Sequence, residues 1–187
     1  MSTIQVTVSG DREVLQIISG FIDRGHDLRP VLELIGARMV ERTKKRFDTA
    51  TGPDGRPWAP NATSTVERFV SSFGGSRKKD GALSAKGRAR AGGKKPLIGE
   101  TGALRTTINY QVAGGDVVNI GSPMMYARVQ QEGAGRGQFG NLPFKTKRGT
   151  FPVPWGDIPA RPFLGFSDDD QAEIVDIVRS YLKPAEN

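Results

Sequence analysis

The chain has 187 residues, 36% of them hydrophobic and 7% aromatic, with 24 glycines, 12 prolines and a formal net charge of +7. The absence of cysteine excludes a disulfide framework, a thiolate metal site and a cysteine nucleophile, and fits folding in a reducing cytoplasm. The apolar content suits one modest core in a single domain over 1–187. No run of about 18 apolar residues is available to cross a membrane, and Met1 to Val6 does not read as a secretory signal.

Residues 3–8 alternate polar and β-branched side chains, which predicts a short strand closed by Ser9-Gly10. From Asp11 the period lengthens. Val14, Leu15, Ile17, Ile18, Phe21 and Ile22 fall on one side of a helix that Gly25 ends. A longer helix is predicted over 28–48, with Asp27 as its cap and Pro30 tolerated in its first turn. Leu28, Leu32, Ile35, Met39 and Thr43 form its inward stripe, with Val31 and Phe47 beside them. Arg38, Glu41, Arg42 and Lys45 lie opposite.

Residues 49–95 change character. Gly52-Pro53-Asp54-Gly55-Arg56-Pro57-Trp58 is dense in turn formers, and the hydrophobic residues after it are sparse. Between Arg77 and Lys95 lie eight basic residues against Asp80 alone, so this stretch carries the whole formal excess of charge. Taken alone, 71–95 holds too little apolar surface to offset ordering entropy, and it reads as an extended arm that orders against a partner. Further on, 106–112 and 117–120 flank Ala113-Gly114-Gly115-Asp116, a hairpin signal. Ile108, Tyr110 and Val112 would share one face. A short helix over 124–132 follows, with Ser122 as cap and Pro123 at its first position. Residues 133–157 read as a second irregular loop. A last helix starts at Ser167, whose cap leads into Asp168, Asp169 and Asp170; Ile174, Ile177, Val178, Tyr181 and Leu182 form its stripe, and Pro184 stops it. The fold class expected is α+β: a small antiparallel sheet packed by N-terminal and C-terminal helices, with long projecting loops at 49–95 and 133–157.

Four blocks in order resemble the phage virion morphogenesis family. They are Arg46-Phe47 with Gly52 to Pro60; Leu97-Ile98 with Thr101 to Arg105; Val118 to Ser122 leading to Tyr126 to Gly133; and Ile158 to Phe166 with Ser167-Asp168. The resemblance covers roughly 30–183 and leaves 1–26 as an N-terminal extension. It implies a non-enzymatic subunit of the virion at the head–tail junction, a tail-completion or neck protein that joins a sixfold ring. It implies no catalytic, cofactor-binding or metal residue. The partners implied are further copies of the chain, connector or neck proteins and tail-terminator or tail-tube proteins.

Particular residues read two ways. Trp58 plugs the core beneath its loop or anchors a neighbouring subunit, since aromatic residues are enriched at interface centres. Arg161 pairs inside the chain or caps carbonyls across a subunit joint. Arg77, Lys78, Lys79, Arg88, Arg90, Lys94 and Lys95 form a solvated loop, dock an acidic protein surface, or touch DNA phosphates in a ring lumen. No aromatic residue interleaves them in sequence, so a stacking platform for single strands is not expected. Tyr126, Arg128 and Glu132 read as part of a short helix with a buried Tyr and a solvated polar face, since no base, acid and nucleophile assemble nearby. His26, the single histidine, lacks partners for a transition metal and reads as a surface residue. Asp168, Asp169 and Asp170 read as acids matched to the helix dipole, since consecutive helical residues point apart. The alternative function is a basic nucleic-acid-binding assembly protein, and the third is an enzyme such as a nuclease.

Overall fold

The computed structural model describes residues 27–99, 101–135, 138, 144–146, 149–151 and 157–182; the strand predicted at 3–8 and the helix predicted from Asp11 lie outside them. The long helix forms as α1, Arg29–Thr49. The Asp27 carboxylate accepts from the Arg29 N–H at 2.9 Å, and Pro30 occupies the first turn, where its missing N–H costs nothing. Ala50 adopts a left-handed conformation at φ 56° and ends the helix. The buried stripe is Val31, Ile35, Gly36, Met39, Thr43, Arg46 and Phe47. Gly36 belongs to it because the hairpin lies directly on the helix there: a Cβ would come within 2.5 Å of the Tyr110 ring.

That hairpin pairs β1, Asn109–Ala113, with β2, Val117–Gly121. Their register sets Tyr110 opposite Ile120 and Val112 opposite Val118, and Gly114 and Gly115 turn the chain at positive φ. Thr106 was expected in the first strand. It is instead the last residue of α4, Ala103–Thr106, where its hydroxyl bonds back to the Gly102 and Ala103 carbonyls. The final helix, α6, is Asp168–Leu182. It packs antiparallel on α1: Asp170 meets Arg46 near one end, and the Tyr181 hydroxyl donates to the Asp27 carbonyl at 2.8 Å at the other. Helices on an antiparallel hairpin make the fold α+β.

The core falls into two adjoining clusters. One gathers Leu28, Val31, Ile35 and Met39 of α1 with Val178 of α6. The other gathers Phe47, Trp58, Leu104, Ile108, Ala127, Phe163 and Leu164, and Ile120 of the hairpin packs against both. Each of the four sequence blocks supplies side chains to this second cluster.

Two expectations about the loops are corrected. The first loop holds a pair of helices, α2 (Thr63–Ser71) and α3 (Ala85–Gly93), packed on each other. The second holds a small hairpin of β3 (Phe144–Thr146) and β4 (Gly149–Phe151). Its base is drawn together by a bridge between Ala134 and Ile158, with bonds of 2.9 and 2.7 Å.

Candidate interaction site

The segment 161–165 runs beside the second core cluster with no strand to pair it among the described residues. Its buried backbone groups still need partners, since each left unsatisfied costs about 1–3 kcal/mol. Side chains supply them from three directions. The Trp58 indole N–H donates to the Pro162 carbonyl at 2.7 Å. The Gln131 amide oxygen accepts from the N–H groups of Phe163 and Leu164 at 3.0 and 2.9 Å, and its amide nitrogen donates to the Leu164 carbonyl at 2.9 Å. Arg46 donates to the carbonyls of Phe163 and Gly165, both at 2.9 Å. Gln131 therefore does the work of a neighbouring strand.

Gln131 reaches this place from α5, Ala127–Glu132. The helix starts three residues later than expected: Ser122 accepts from the Met124 N–H at 3.3 Å, and Tyr126 stands at the cap position. Tyr126 is 45% exposed and Ala127 is the buried residue, so the expectation of a buried Tyr is corrected. The solvated face is present in Arg128 and Glu132, which are exposed and pair at 2.9 Å, while Gln131 turns inward and the Gln130 carbonyl accepts from the Arg161 N–H at 2.7 Å. Gly133 follows at φ +76°, where a Cβ would stand 2.8 Å from both the Ala160 nitrogen and the Ile158 oxygen. Only glycine lets the chain turn there against the extended segment.

Trp58 and Arg161 both serve their own chain. Trp58 is 6% exposed and meets Phe47 edge-on at 5.2 Å between ring centroids. Arg161 is 7% exposed, and its guanidinium donates to the carbonyls of Ala59 and Pro60 at 2.8 Å each. Those carbonyls lie in a proline-rich turn that has no ladder to satisfy them. Burial lowers the Arg161 pKa from its ordinary value, and the guanidinium stays protonated regardless.

Arg46 also closes an ion network that the sequence did not disclose. Asp170, 1% exposed, accepts from Arg46 and from Arg42. Arg42 continues to Glu173 at 2.8 Å, which Arg38 approaches at 3.1 Å. Asp170 and Ser167 form a reciprocal capping box, with the Ser167 N–H donating to the carboxylate at 2.8 Å and the Asp170 N–H donating to the hydroxyl at 3.2 Å. Burial pushes the Asp170 carboxyl up. The hydrogen bonds from Ser167 and Arg42 and the charge of Arg46 outweigh that, leaving it below the ordinary carboxylate value. Burial likewise pulls Arg46 down, partly offset by Asp170. A groove of about 660 Å³ runs past this network, lined by Arg38, Arg42, Lys45, Arg105 and Glu173 among others.

The remaining predicted residues gather on the α2–α3 pair. Ser84 caps α3 by accepting the Gly87 N–H at 3.0 Å, and Arg77 pairs with Leu83 in a single antiparallel bridge. Val70 is buried, and Phe69 meets Phe73 edge-on at 5.1 Å. Arg90 lies 4.8 Å above the Phe73 ring and Lys94 lies 4.8 Å above Phe69. The cations and aromatics that looked unmixed in sequence are layered in space, which contributes to holding the pair together. Val70 and Phe69 come from α2, outside the stretch whose composition predicted an arm, and Phe73 comes from the first residues of that stretch. Arg77, Arg88 and Arg90 donate to the carbonyls of Gly81, Leu83 and Gly74 at 2.8 to 3.0 Å, and Lys94 and Lys95 donate to those of Ile98 and Asp48. Lys78, Lys79 and Lys86 are exposed and make no ion pair among the described residues. No group of three or more His, Cys, Asp or Glu able to hold a metal occurs among the described residues.

The sequence model of the phage virion morphogenesis family matches residues 10–183. The match begins well before residue 27, so most of the segment read as an extension lies within the family's span. No curated protein and no solved structure matches the chain.

Proposed function

The chain belongs to the phage virion morphogenesis family, and from that premise we propose that it is a structural subunit of the head–tail junction, a tail-completion or neck protein needed for joining head and tail. The observation that carries this reading is the family match over 10–183. The joint around 161–165 supports it. Residues from the first, third and fourth blocks are locked there by hydrogen bonds, and the second block adds Leu104 to the core beneath, as suits a part that bears load.

In this reading copies of the chain close a sixfold ring through a head-to-tail contact. The ring sits between connector or neck proteins on one side and tail-terminator or tail-tube proteins on the other, and assembles in the host cytoplasm. The α2–α3 pair and the 133–157 loop are its contact surfaces. Particles made without the chain are expected to accumulate as filled heads and separate complete tails under the electron microscope, and added purified chain is expected to join them. Intact, joined particles in its absence would refute the role. The exposed lysines Lys78, Lys79 and Lys86 favour a second reading, nucleic-acid binding, which expects salt-sensitive retention of duplex DNA by the isolated chain.

A further inference from the structure

Two regions of the fold carry exposed charges of mostly one sign, and the signs are opposite. On the α2–α3 pair, five of the cations counted in the basic stretch have their donors directed to carbonyls of their own chain. Asp80 stays at the surface, where its carboxylate accepts the Ala82 N–H at 3.0 Å. Lys78, Lys79 and Lys86 lie at the surface of the pair with no such donation to a carbonyl among the described residues; Arg68, Arg77, Arg88, Glu67 and Asp80 are exposed beside them, and cations outnumber acids there.

Helix α6 is divided in the same way with opposite sign. Asp170 and Glu173 face α1 and are taken up by Arg38, Arg42 and Arg46. Asp168, Asp169 and Asp176 are exposed and make no ion pair among the described residues, and Arg179 is the one cation exposed on the same helix. Asp176 follows Asp169 by two helical turns, about 10 Å along the axis, so these two acids line up along the helix, with Asp168 about 100° round from Asp169. Among the described residues the two sets do not pair with each other.

We infer that the exposed lysines of the α2–α3 pair dock on the outer acidic face of α6 of a second copy of this chain. The inference rests on the ring reading and names the surfaces that would close it. The two surfaces differ, so the contact is heterologous and leaves a fresh surface of each kind on either side. Duplex DNA fits less well. Non-specific duplex binding depends on many cations free to reach phosphates, and here Arg77, Arg88, Arg90, Lys94 and Lys95 are already engaged with carbonyls.

The test restores tailed particles assembled without this chain by adding purified full-length protein. One variant carries Lys78→Glu, Lys79→Glu and Lys86→Glu; the other carries Asp168→Lys, Asp169→Lys and Asp176→Lys. Exposed pairs are individually weak, so losing three per contact sets the expected loss at about tenfold or more in infectious particles for either variant alone. An equal mixture of the two is expected to restore wild-type yield, because each reversed surface then meets its complement around an alternating ring. Circular dichroism checks folding. If lysines in the first turn of α6 unfold it, Asp168→Asn, Asp169→Asn and Asp176→Asn replaces that variant and is expected to lose activity by itself.

Failure of the wild-type chain to restore particles overturns the junction role itself. Restoration by the wild type and equally by the lysine variant overturns the contact, as does a folded pair of reversed variants that stays inactive when mixed. So does a lysine variant whose single defect is lost, salt-sensitive retention of duplex DNA, which would assign the surface to nucleic acid.

Discussion

Replacing Gln131 with leucine separates two neighbouring glutamines that look alike in sequence. The Gln131 side chain makes bonds of 3.0, 2.9 and 2.9 Å to the backbone of Phe163 and Leu164, residues that are 0% and 5% exposed. Leucine has a similar size and removes all of them, stranding two N–H groups and a carbonyl away from water. At about 1 kcal/mol or more for each stranded group, the loss comes to about 3 kcal/mol. Gln130→Leu is the control. The Gln130 side chain accepts a single long bond of 3.4 Å from Arg161, and its main-chain carbonyl keeps the 2.7 Å bond to the Arg161 N–H. Its cost should stay below about 1 kcal/mol. In urea unfolding, a slope of about 2 kcal/mol/M converts these costs to midpoint falls of about 1.5 M for Gln131→Leu and under about 0.5 M for Gln130→Leu. Equal midpoints for the two variants would refute the claim that Gln131 stands in for a strand.

Arg46→Met is expected to lower stability by about 3–5 kcal/mol in the same assay, because it leaves Asp170 half-compensated and two carbonyls unpaired. The folded-state pKa of Asp170 lies below its ordinary value of 3.8. Its ionisation therefore contributes stability that is fully present above that value and is lost as pH falls through the folded value. Asp170→Asn should be less stable than the wild type at neutral pH and should melt with a shallower dependence on pH below about 4, read by thermal denaturation between pH 7 and 2. Gly87→Val would set a Cβ 2.0 Å from the Ser76 carbonyl oxygen. Amide hydrogen exchange should show lost protection over 63–93 with α1 still protected, and unchanged protection over 63–93 would mean that α3 does not rest on Ser76.

The parts of this fold legible in the sequence are those where a local rule and the tertiary packing agree. Pro30 and the spacing from Val31 to Phe47 located α1. Ser167 followed by acids located the start of α6, and Gly114-Gly115 located the hairpin turn. The joint was legible as a set of blocks and illegible as a mechanism. Nothing about Gln130-Gln131 says which amide turns inward, since that depends on where residues 161–165 pass. Arg46 hid beside Lys44 and Lys45 on what reads as the wet side of a helix, and a buried guanidinium is uncommon enough that pattern alone argues against it. The α2–α3 pair escaped for a related reason. Its stability comes from Phe69 under Lys94 and Phe73 under Arg90, pairings across 17 to 25 residues that no window on composition can sum.

The hydrogen bonding of residues 161–165 has a consequence for crowding. An extended segment without a ladder partner is ordinarily an open template on which a foreign strand can add. Here the template is already written over: Trp58, Gln131 and Arg46 occupy the positions a stray strand would need. Many copies can accumulate at high local concentration around a growing particle without zipping together along this segment, so their association is left to surfaces that discriminate.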